Sequence, residues 1–128
     1  MNELTSINSL IVSSGKKQGK DKKILIQNIR KAIEKETGLT FIQFLKKYDQ
    51  VSRYRIGLSI FTTTNKTICK ALNIPTEAGT RRKRKLEKES LLVSTPKKEV
   101  CPFTTYRAKY YTTNQALFNK IINYKTNK

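Results

Sequence analysis

The chain has 128 residues, with 27 lysine and arginine residues against 9 aspartate and glutamate residues, for a formal net charge of +18. This length favours a single domain, and the charge indicates a polyanionic partner such as nucleic acid or an anionic membrane. Histidine is absent from the sequence, which excludes Cys/His zinc fingers, histidine-dependent nucleophilic sites and imidazole general bases.

The N-terminal stretch has no sustained hydrophobic periodicity and contains the small, basic run SSGKKQGKDKK. We therefore predict a flexible basic arm over 1–21 and a folded domain over 22–124. The short apolar run LIVSS is followed by lysines rather than preceded by them, unlike a secretory signal, and no apolar run approaches the roughly 20 residues that span a bilayer. We expect a cytoplasmic, nucleoid-associated protein with no membrane partner.

The first part of the domain has helical periodicity. In DKKILIQNIRKAIEKETGL, isoleucines recur at three and four residues, and Gly38 follows where a left-handed C-cap belongs. Thr40 and Gln43 have capping-box spacing, which predicts a short helix at about 41–48. The next segment, VSRYRIGLSIF, fits either a helix capped by Ser52 or a strand, because it contains β-branched residues and Gly57.

The middle of the chain predicts two consecutive helices. In TTNKTICKALNI, Thr64 or Asn65 can cap a scaffold helix at about 65–73, with apolar residues on one face. Asn73 and Ile74 then turn the chain. Proline is well suited to begin a helix, so Pro75 indicates a second helix at about 76–89.

A hairpin and a last helix are predicted after this pair. SLLVST reads as a strand, PKKEVCPFTTY as a loop or hairpin tip, and RAKYYTTN as a returning strand, giving a wing over about 91–113 with Lys97 and Lys98 at its tip. Asn114 can cap a helix at about 115–124. Its apolar side either completes the monomer core or forms the seam of a homodimer, and comprises Leu117, Phe118, Ile121 and Ile122.

The cysteines and acidic residues do not indicate catalysis. In a cytosolic protein, Cys69 and Cys101 are expected as two free, partly buried thiols rather than a disulfide. The acidic residues are scattered, and the sequence has no glycine-rich phosphate loop. We therefore expect no enzyme activity, no cofactor and no metal site.

The segment ICKALNIPTEAGTRRKRKLEKESLLV, from Ile68 to Val93, resembles the helix-turn-helix and first wing strand of bacterial winged-helix DNA-binding proteins. In that family a leucine and an acidic residue close the recognition helix, and a small residue precedes the wing; Leu86, Glu87 and Ser90 match these positions. The stretch CPFTTYRAKYYTTN is similar to one that follows the same motif in small basic winged-helix proteins of Bacteroidetes mobile elements. The resemblance implies a winged helix-turn-helix fold, mainly α with a small β-hairpin wing (α+β).

Two residues depart from the family pattern, which usually has bulkier aliphatic residues at the positions of Gly79 and Lys83. Glycine costs roughly 1 kcal/mol of helix propensity relative to alanine, and we expect Gly79 to permit close packing of the two helices. Arg82 and Lys83 flank the inward side, where their alkyl stems can cover apolar surface.

The second helix supplies the candidate DNA contacts. At 100° per residue, an inward Leu86 turns part of the basic run RRKRK outward, towards a major groove. The candidates for reading bases are Thr76, Glu77, Thr80, Arg81 and Arg84. The candidates for binding phosphates are Lys66, Lys85, Lys88, Lys97, Lys98, Arg107 and Lys109.

We expect non-catalytic binding of double-stranded DNA, by a transcriptional regulator or accessory factor of a mobile element or phage. Alternatives are an RNA-binding protein, a replication or excision accessory protein, and a protein–protein inhibitor module. RRKRK also fits a localisation tag or a solvated helix face, although the apolar anchor in LEKESLL favours a nucleic-acid-facing helix. Core or hairpin packing is favoured over stacking on unpaired bases for four aromatic residues, Phe103, Tyr106, Tyr110 and Tyr111.

Overall fold

The computed structural model describes residues 20–101, 103–104 and 106–124, so the predicted arm lies almost entirely outside the described residues. The described part is mainly helical with small antiparallel sheets, the α+β class expected from the sequence. Its elements in chain order are α1 (Lys20–Thr37), α2 (Phe41–Lys47), α3 (Gln50–Ile60), β1 (Thr63–Thr64), α4 (Asn65–Ala71), α5 (Thr76–Lys88), β2 (Val93–Ser94), β3 (Glu99–Val100), β4 (Arg107–Ala108), β5 (Tyr110–Thr112), a 3₁₀ turn (Gln115–Leu117) and α6 (Phe118–Ile122).

The ends of the first two helices follow the local signals in the sequence. Helix α1 is followed by Gly38, whose φ of 73° lies in the left-handed region that glycine adopts without steric cost. The capping box is present before α2: Thr40 Oγ1 accepts from Gln43 N at 3.2 Å, and Gln43 Oε1 accepts from Thr40 N at 3.0 Å. Two of the N–H groups at the start of α2 are thereby paired.

The ambiguous segment VSRYRIGLSIF forms most of helix α3 and not a strand. The cap is Asp49, whose carboxylate accepts from Ser52 N at 2.9 Å, so the expected cap at Ser52 is wrong by three residues. Tyr54, Gly57 and Leu58 are the buried residues of α3. Their spacing of three and four residues places them on one helical face, which packs against the core.

The main hydrophobic core lies where α1, α3, α4 and α5 meet. Ile29 and Ile33 of α1 are fully buried, as are Ile68 and Leu72 on and just after α4. These residues recur at helical spacing, so the burial of apolar area selects which face of each helix turns inward.

Helices α4 and α5 are joined by a tight turn. Asn73 adopts φ 56°, Asn73 N donates to Lys70 O at 3.4 Å, and Ile74 N donates to Cys69 O at 2.9 Å. These two bonds form a Schellman motif with asparagine in the left-handed position. The buried Ile74 anchors the turn, and Pro75 occupies the N-cap position of α5. The turn therefore sets the direction in which α5 leaves α4.

The strands form one three-stranded and one two-stranded antiparallel sheet. The first has the order β1–β5–β2, with Thr63 opposite Tyr111 and Val93 opposite Thr112; the second pairs β3 with β4. Between the two pairings, Pro96, Lys97 and Lys98 lie opposite Lys109 alone. These unequal lengths make a bulge in one long hairpin.

Lys97 and Lys98 therefore lie at this bulge and not at the hairpin tip, which corrects the sequence prediction. The proline and two lysines look like a turn in the sequence, but the chain resumes pairing at Glu99. The tip instead follows Cys101 and includes Phe103, Thr104 and Tyr106.

The C-terminal segment packs on the sheet. Asn114 Oδ1 accepts from Ala116 N at 3.0 Å, as expected for a cap, and Leu117 and Ile121 are buried beside Tyr110. The predicted apolar side is wrong at Ile122, whose side chain is 46% exposed, because the segment begins with a 3₁₀ turn that changes the facing of the short helix α6.

Candidate nucleic-acid interface

Helix α5 carries a one-sided stripe of exposed cations. Arg81, Arg84, Lys85 and Lys88 are all exposed and are spaced by three, four and seven residues, which places them on one face. At 1.5 Å per residue the stripe is about 10 Å long. Thr76 and Glu77 are also exposed, in the first turn of the same helix.

The opposite side of α5 is engaged with the rest of the protein. Ala78, Gly79 and Leu86 are buried. Arg82 Nε donates to Gln50 Oε1 at 3.0 Å, and Lys83 Nζ donates to the Tyr111 hydroxyl at 3.2 Å while lying 4.8 Å from that ring's centroid. The five consecutive cations therefore divide into two that contact protein and three that face solvent.

Gly79 permits a close approach of α5 to α4, as predicted. A Cβ atom at this position would lie 2.1 Å from Cys69 Sγ and 3.1 Å from Asn65 Oδ1. A methyl group fits in that space only if the buried Cys69 sulfur or one of the two helices moves. The glycine that weakens helix propensity thus sets the distance between the two helices.

A partly buried polar network fixes the first turns of α5 against α3 and α4. The Tyr54 hydroxyl donates to Asn65 Oδ1 at 2.7 Å, and Asn65 Nδ2 donates to Thr80 Oγ1 at 3.3 Å. Thr80 also donates to Thr76 O at 3.0 Å, and its side chain is only partly exposed. The sequence predicts Thr80 as a base-reading residue. In the structure its hydroxyl already makes two hydrogen bonds within the protein, one as acceptor and one as donor.

The turn between α4 and α5 is held by a residue that the sequence pattern did not single out. Arg30 Nε donates to Ala71 O at 2.9 Å, and Arg30 Nη2 donates to Asn73 Oδ1 at 3.3 Å. The guanidinium carbon also lies 4.7 Å from the Phe41 ring centroid. In the sequence Arg30 is one of several cations on a polar helix face, so its partners across the fold gave no local signal.

The remaining phosphate candidates lie on α4 and the hairpin. Lys66 is exposed on α4, and Arg107 is exposed on β4. Lys97 and Lys98 are exposed at the bulge, opposite the partly buried Lys109. The structure thus gathers three predicted lysines at one point of the hairpin, while Arg107 lies nearer its tip.

Of the four aromatic residues in the hairpin, three pack and one does not. Tyr110 is fully buried and donates to Val100 O at 2.7 Å, and Tyr111 packs against Lys83. Phe103 is partly buried, with Lys22 Nζ 5.1 Å from its ring centroid. Tyr106 is 78% exposed, so packing is the wrong expectation for this residue.

Both cysteines are free, as expected, and both are buried rather than partly buried. Burial raises the pKa of the Cys69 thiol from 9.0 to about 12. Burial also acts to raise the pKa of Cys101, but hydrogen bonds from Thr104, Thr64 and Thr67 outweigh that effect and lower the pKa below its ordinary value. The Cys101 sulfur lies 3.0 Å from Thr64 Oγ1, so it fastens the hairpin to the start of α4.

Within residues 20–101, 103–104 and 106–124, no three His, Cys, Asp or Glu side chains cluster as metal ligands, and no helix combines the length and apolar character needed to cross a bilayer. Comparison with protein families, with characterised proteins and with solved structures found no match to this chain.

Proposed function

We propose that this chain is a winged helix-turn-helix protein that binds double-stranded DNA without catalysis, using α5 as its recognition helix. The observation that carries the proposal is the division of the RRKRK run. Arg81, Arg84 and Lys85 project from one face of α5, while Arg82 and Lys83 are held by protein partners. The division leaves three exposed cations close together on one face, which is the arrangement that a polyanion would bind.

The order of elements supports the same proposal. A short strand, β1, precedes the helix pair, and β2 and β5 follow it as the two arms of a hairpin in the same sheet. This arrangement leaves α5 supported on its inner side by α3 and α4, and by β5 through the contact of Lys83 with Tyr111. A major groove about 12 Å wide admits one such helix, so the exposed stripe is the surface that would enter.

The cations of the stripe have different roles in this proposal. Arginine makes bidentate hydrogen bonds to guanine O6 and N7, so Arg81 and Arg84 read bases, with Thr76 and Glu77 near the helix start. Lys85 and Lys88, further along, bind phosphates and set the register. Thr80 contacts DNA less than it positions the helix, because Asn65 and Thr76 engage its hydroxyl.

The hairpin supplies a second set of phosphate contacts in this proposal. Lys97, Lys98 and Lys109 converge at the bulge, and Arg107 is exposed beyond it. Lysine in such a position neutralises phosphates without reading sequence, which makes affinity fall steeply with salt. Lys66 on α4 acts in the same way. We place the protein among regulators or accessory factors of mobile elements or phages.

An architectural, replication or excision factor is the second candidate, because most of the exposed cations in the described part of the chain are lysines suited to electrostatic binding. Selection of bound duplexes from a random pool distinguishes the two functions. A sequence-specific protein enriches one sequence, and a palindrome among the enriched duplexes would indicate a dimer. An architectural protein enriches none, and random duplex competes as well as any selected one.

Alanine variants of two stripe residues then test the assigned roles. Arg84→Ala should cost roughly 1–3 kcal/mol of binding free energy at one cognate base pair and relax specificity there. Lys88→Ala should weaken binding to all duplexes equally. The slope of log affinity against log salt concentration should decrease by the amount of about one phosphate contact. Lys35→Ala, which removes an exposed charge from the far end of α1, is the control. If Arg84→Ala weakens every sequence equally, Arg84 binds phosphate and the base-reading role is wrong.

A further inference from the structure

Tyr106 is largely exposed at the tip of the hairpin. At 78% it is the most exposed large apolar or aromatic side chain in the described part of the chain. Fully burying such a ring stabilises a protein by about 1.5–3 kcal/mol, so leaving it in solvent forgoes that contribution. Single exposed apolar residues are common on protein surfaces. The groups close to Tyr106 therefore decide whether the ring can bind a ligand.

The backbone N–H and carbonyl of Tyr106 are both hydrogen-bonded, while its ring lies in solvent. Tyr106 O accepts from Cys101 N at 2.7 Å, and Tyr106 N donates to Thr104 Oγ1 at 3.2 Å. Cys101 is itself buried, with its sulfur within hydrogen-bonding distance of Thr64 and Thr67 at the start of α4. The backbone that carries the ring is therefore linked through Cys101 to the start of α4, which reduces the entropy lost when the ring binds a ligand.

Two cations lie at the same end of the hairpin as this ring. Arg107 follows it directly and is exposed, and Lys22 lies over the neighbouring Phe103 ring. Lys22 belongs to the first turns of α1, where the partial positive charge of the helix N-terminus adds to the side-chain charges. We call Lys22, Phe103, Tyr106 and Arg107 the hairpin-tip patch. It combines an accessible aromatic face with groups that bind phosphate.

A continuous duplex satisfies only half of this patch. It offers phosphates to the cations, but each base is stacked between its neighbours and presents no free face to a ring. A free face exists where a base is unpaired, as at a fork, a frayed end or a gap. Base–aromatic stacking combined with a positively charged groove is the usual chemistry of single-strand binding.

We propose that the hairpin-tip patch binds an unpaired nucleotide next to duplex DNA, with Tyr106 stacked on the base and Arg107 and Lys22 on the adjacent phosphates. This inference rests on the proposed duplex binding by α5 and deepens it. The preferred substrate is then DNA with a junction between double-stranded and single-stranded segments.

The test compares two fluorescent DNAs that share one duplex sequence, one fully paired and one ending in a short fork. Anisotropy titrations are made at the same ionic strength with the full chain. One stacked base should make the forked DNA bind at least about fivefold more tightly. Tyr106→Ala should remove this preference and leave duplex affinity unchanged. Tyr106→Phe, which keeps the ring, should preserve it, as should Ile42→Ala, which truncates an exposed apolar residue on α2.

Photo-crosslinking supplies a second readout. With 5-iodouracil at the first unpaired position, irradiation should link the DNA to Tyr106 itself, a result that a purely structural role would not give. Equal affinity of the parent chain for both DNAs would overturn the inference, and so would a Tyr106→Ala variant that keeps the fork preference. Equal weakening of both DNAs by Tyr106→Ala would also overturn it, because the ring would then contact continuous duplex. If the chain binds the forked DNA but not the fully paired DNA, the function proposed for α5 is wrong.

Discussion

Replacement of Gly79 by alanine tests whether α4 and α5 are close enough at this position to exclude a methyl group. Two effects oppose each other. Alanine gains roughly 1 kcal/mol of helix propensity over glycine. The new methyl group would lie 2.1 Å from Cys69 Sγ, a buried atom on a single rotatable bond, and overpacking typically costs about 1–3 kcal/mol. An overlap this deep belongs at the upper end, so the net loss of unfolding free energy should be about 2 kcal/mol.

Urea unfolding followed by far-UV circular dichroism measures this loss. With a typical slope of roughly 1–3 kcal/mol per molar urea, the midpoint should fall by about 1 M. Gly57→Ala is the matched comparator, because its methyl group would lie 2.9 Å and 3.1 Å from the mobile ends of Leu72 and Ile68. Those side chains can move by a few tenths of an ångström, so the loss should be smaller than that of Gly79→Ala.

A double-mutant cycle identifies the atom responsible. Cys69→Ala removes the sulfur that the new methyl group meets, so combining it with Gly79→Ala should recover at least about 1 kcal/mol relative to additivity. The same cysteine change should not rescue Gly57→Ala. A Gly79→Ala variant as stable as the parent chain, or a cycle without coupling, would show that the Cys69 sulfur does not limit the approach of α5 to α4.

Two further predictions concern the helix pair. Arg30→Lys should lower the unfolding free energy by roughly 1–2 kcal/mol in urea titrations, because lysine cannot donate to Ala71 O and Asn73 Oδ1 at once; a variant of unchanged stability would show that the clamp contributes nothing. Burial raises the pKa of Cys69 from 9.0 to about 12, so the contribution of the buried neutral thiol to stability is fully present below about pH 9. It is lost between about pH 9 and pH 12, by at most about 1.4 kcal/mol per pH unit. The pKa of Cys101 is lowered, so its ionisation increases the free energy of unfolding as the pH rises towards 9.0. Above pH 9.0 this contribution is constant. The stability difference between the parent chain and Cys69→Ala should therefore shrink above pH 9, and a difference independent of pH would contradict the burial argument.

Most helices could be predicted because their signals are local. The isoleucines of α1, the capping box at Thr40 and the helix-starting Pro75 all act within one or two turns. The facing of α5 could be predicted too, since one buried leucine at a known angle sets the direction of every other side chain. Helix α3 remained ambiguous because its apolar residues are interrupted by polar ones, and only packing against α1 and α4 selects the helix.

The features that the sequence did not reveal depend on residues far apart in the chain. Arg30 contacts a turn more than forty positions away, and Asn65 joins Tyr54 to Thr80 across three helices. The bulge at Lys97 was mistaken for a tip because a proline beside lysines looks the same in both settings. Tyr106 differs from the neighbouring aromatic residues only in exposure, which no pattern of residue types records.

The pairing of β1 has a consequence for the order in which the protein assembles. Thr63 immediately precedes the helix pair, but its partner Tyr111 lies near the end of the described chain. During synthesis α4 and α5 are made and can fold locally, while the sheet that supports them must wait for β5. Contacts so distant in sequence are formed late, so we expect closure of this sheet to limit the folding rate. A chain terminated before β5 would keep its cationic helix but lack Tyr111, the residue that holds Lys83 inward.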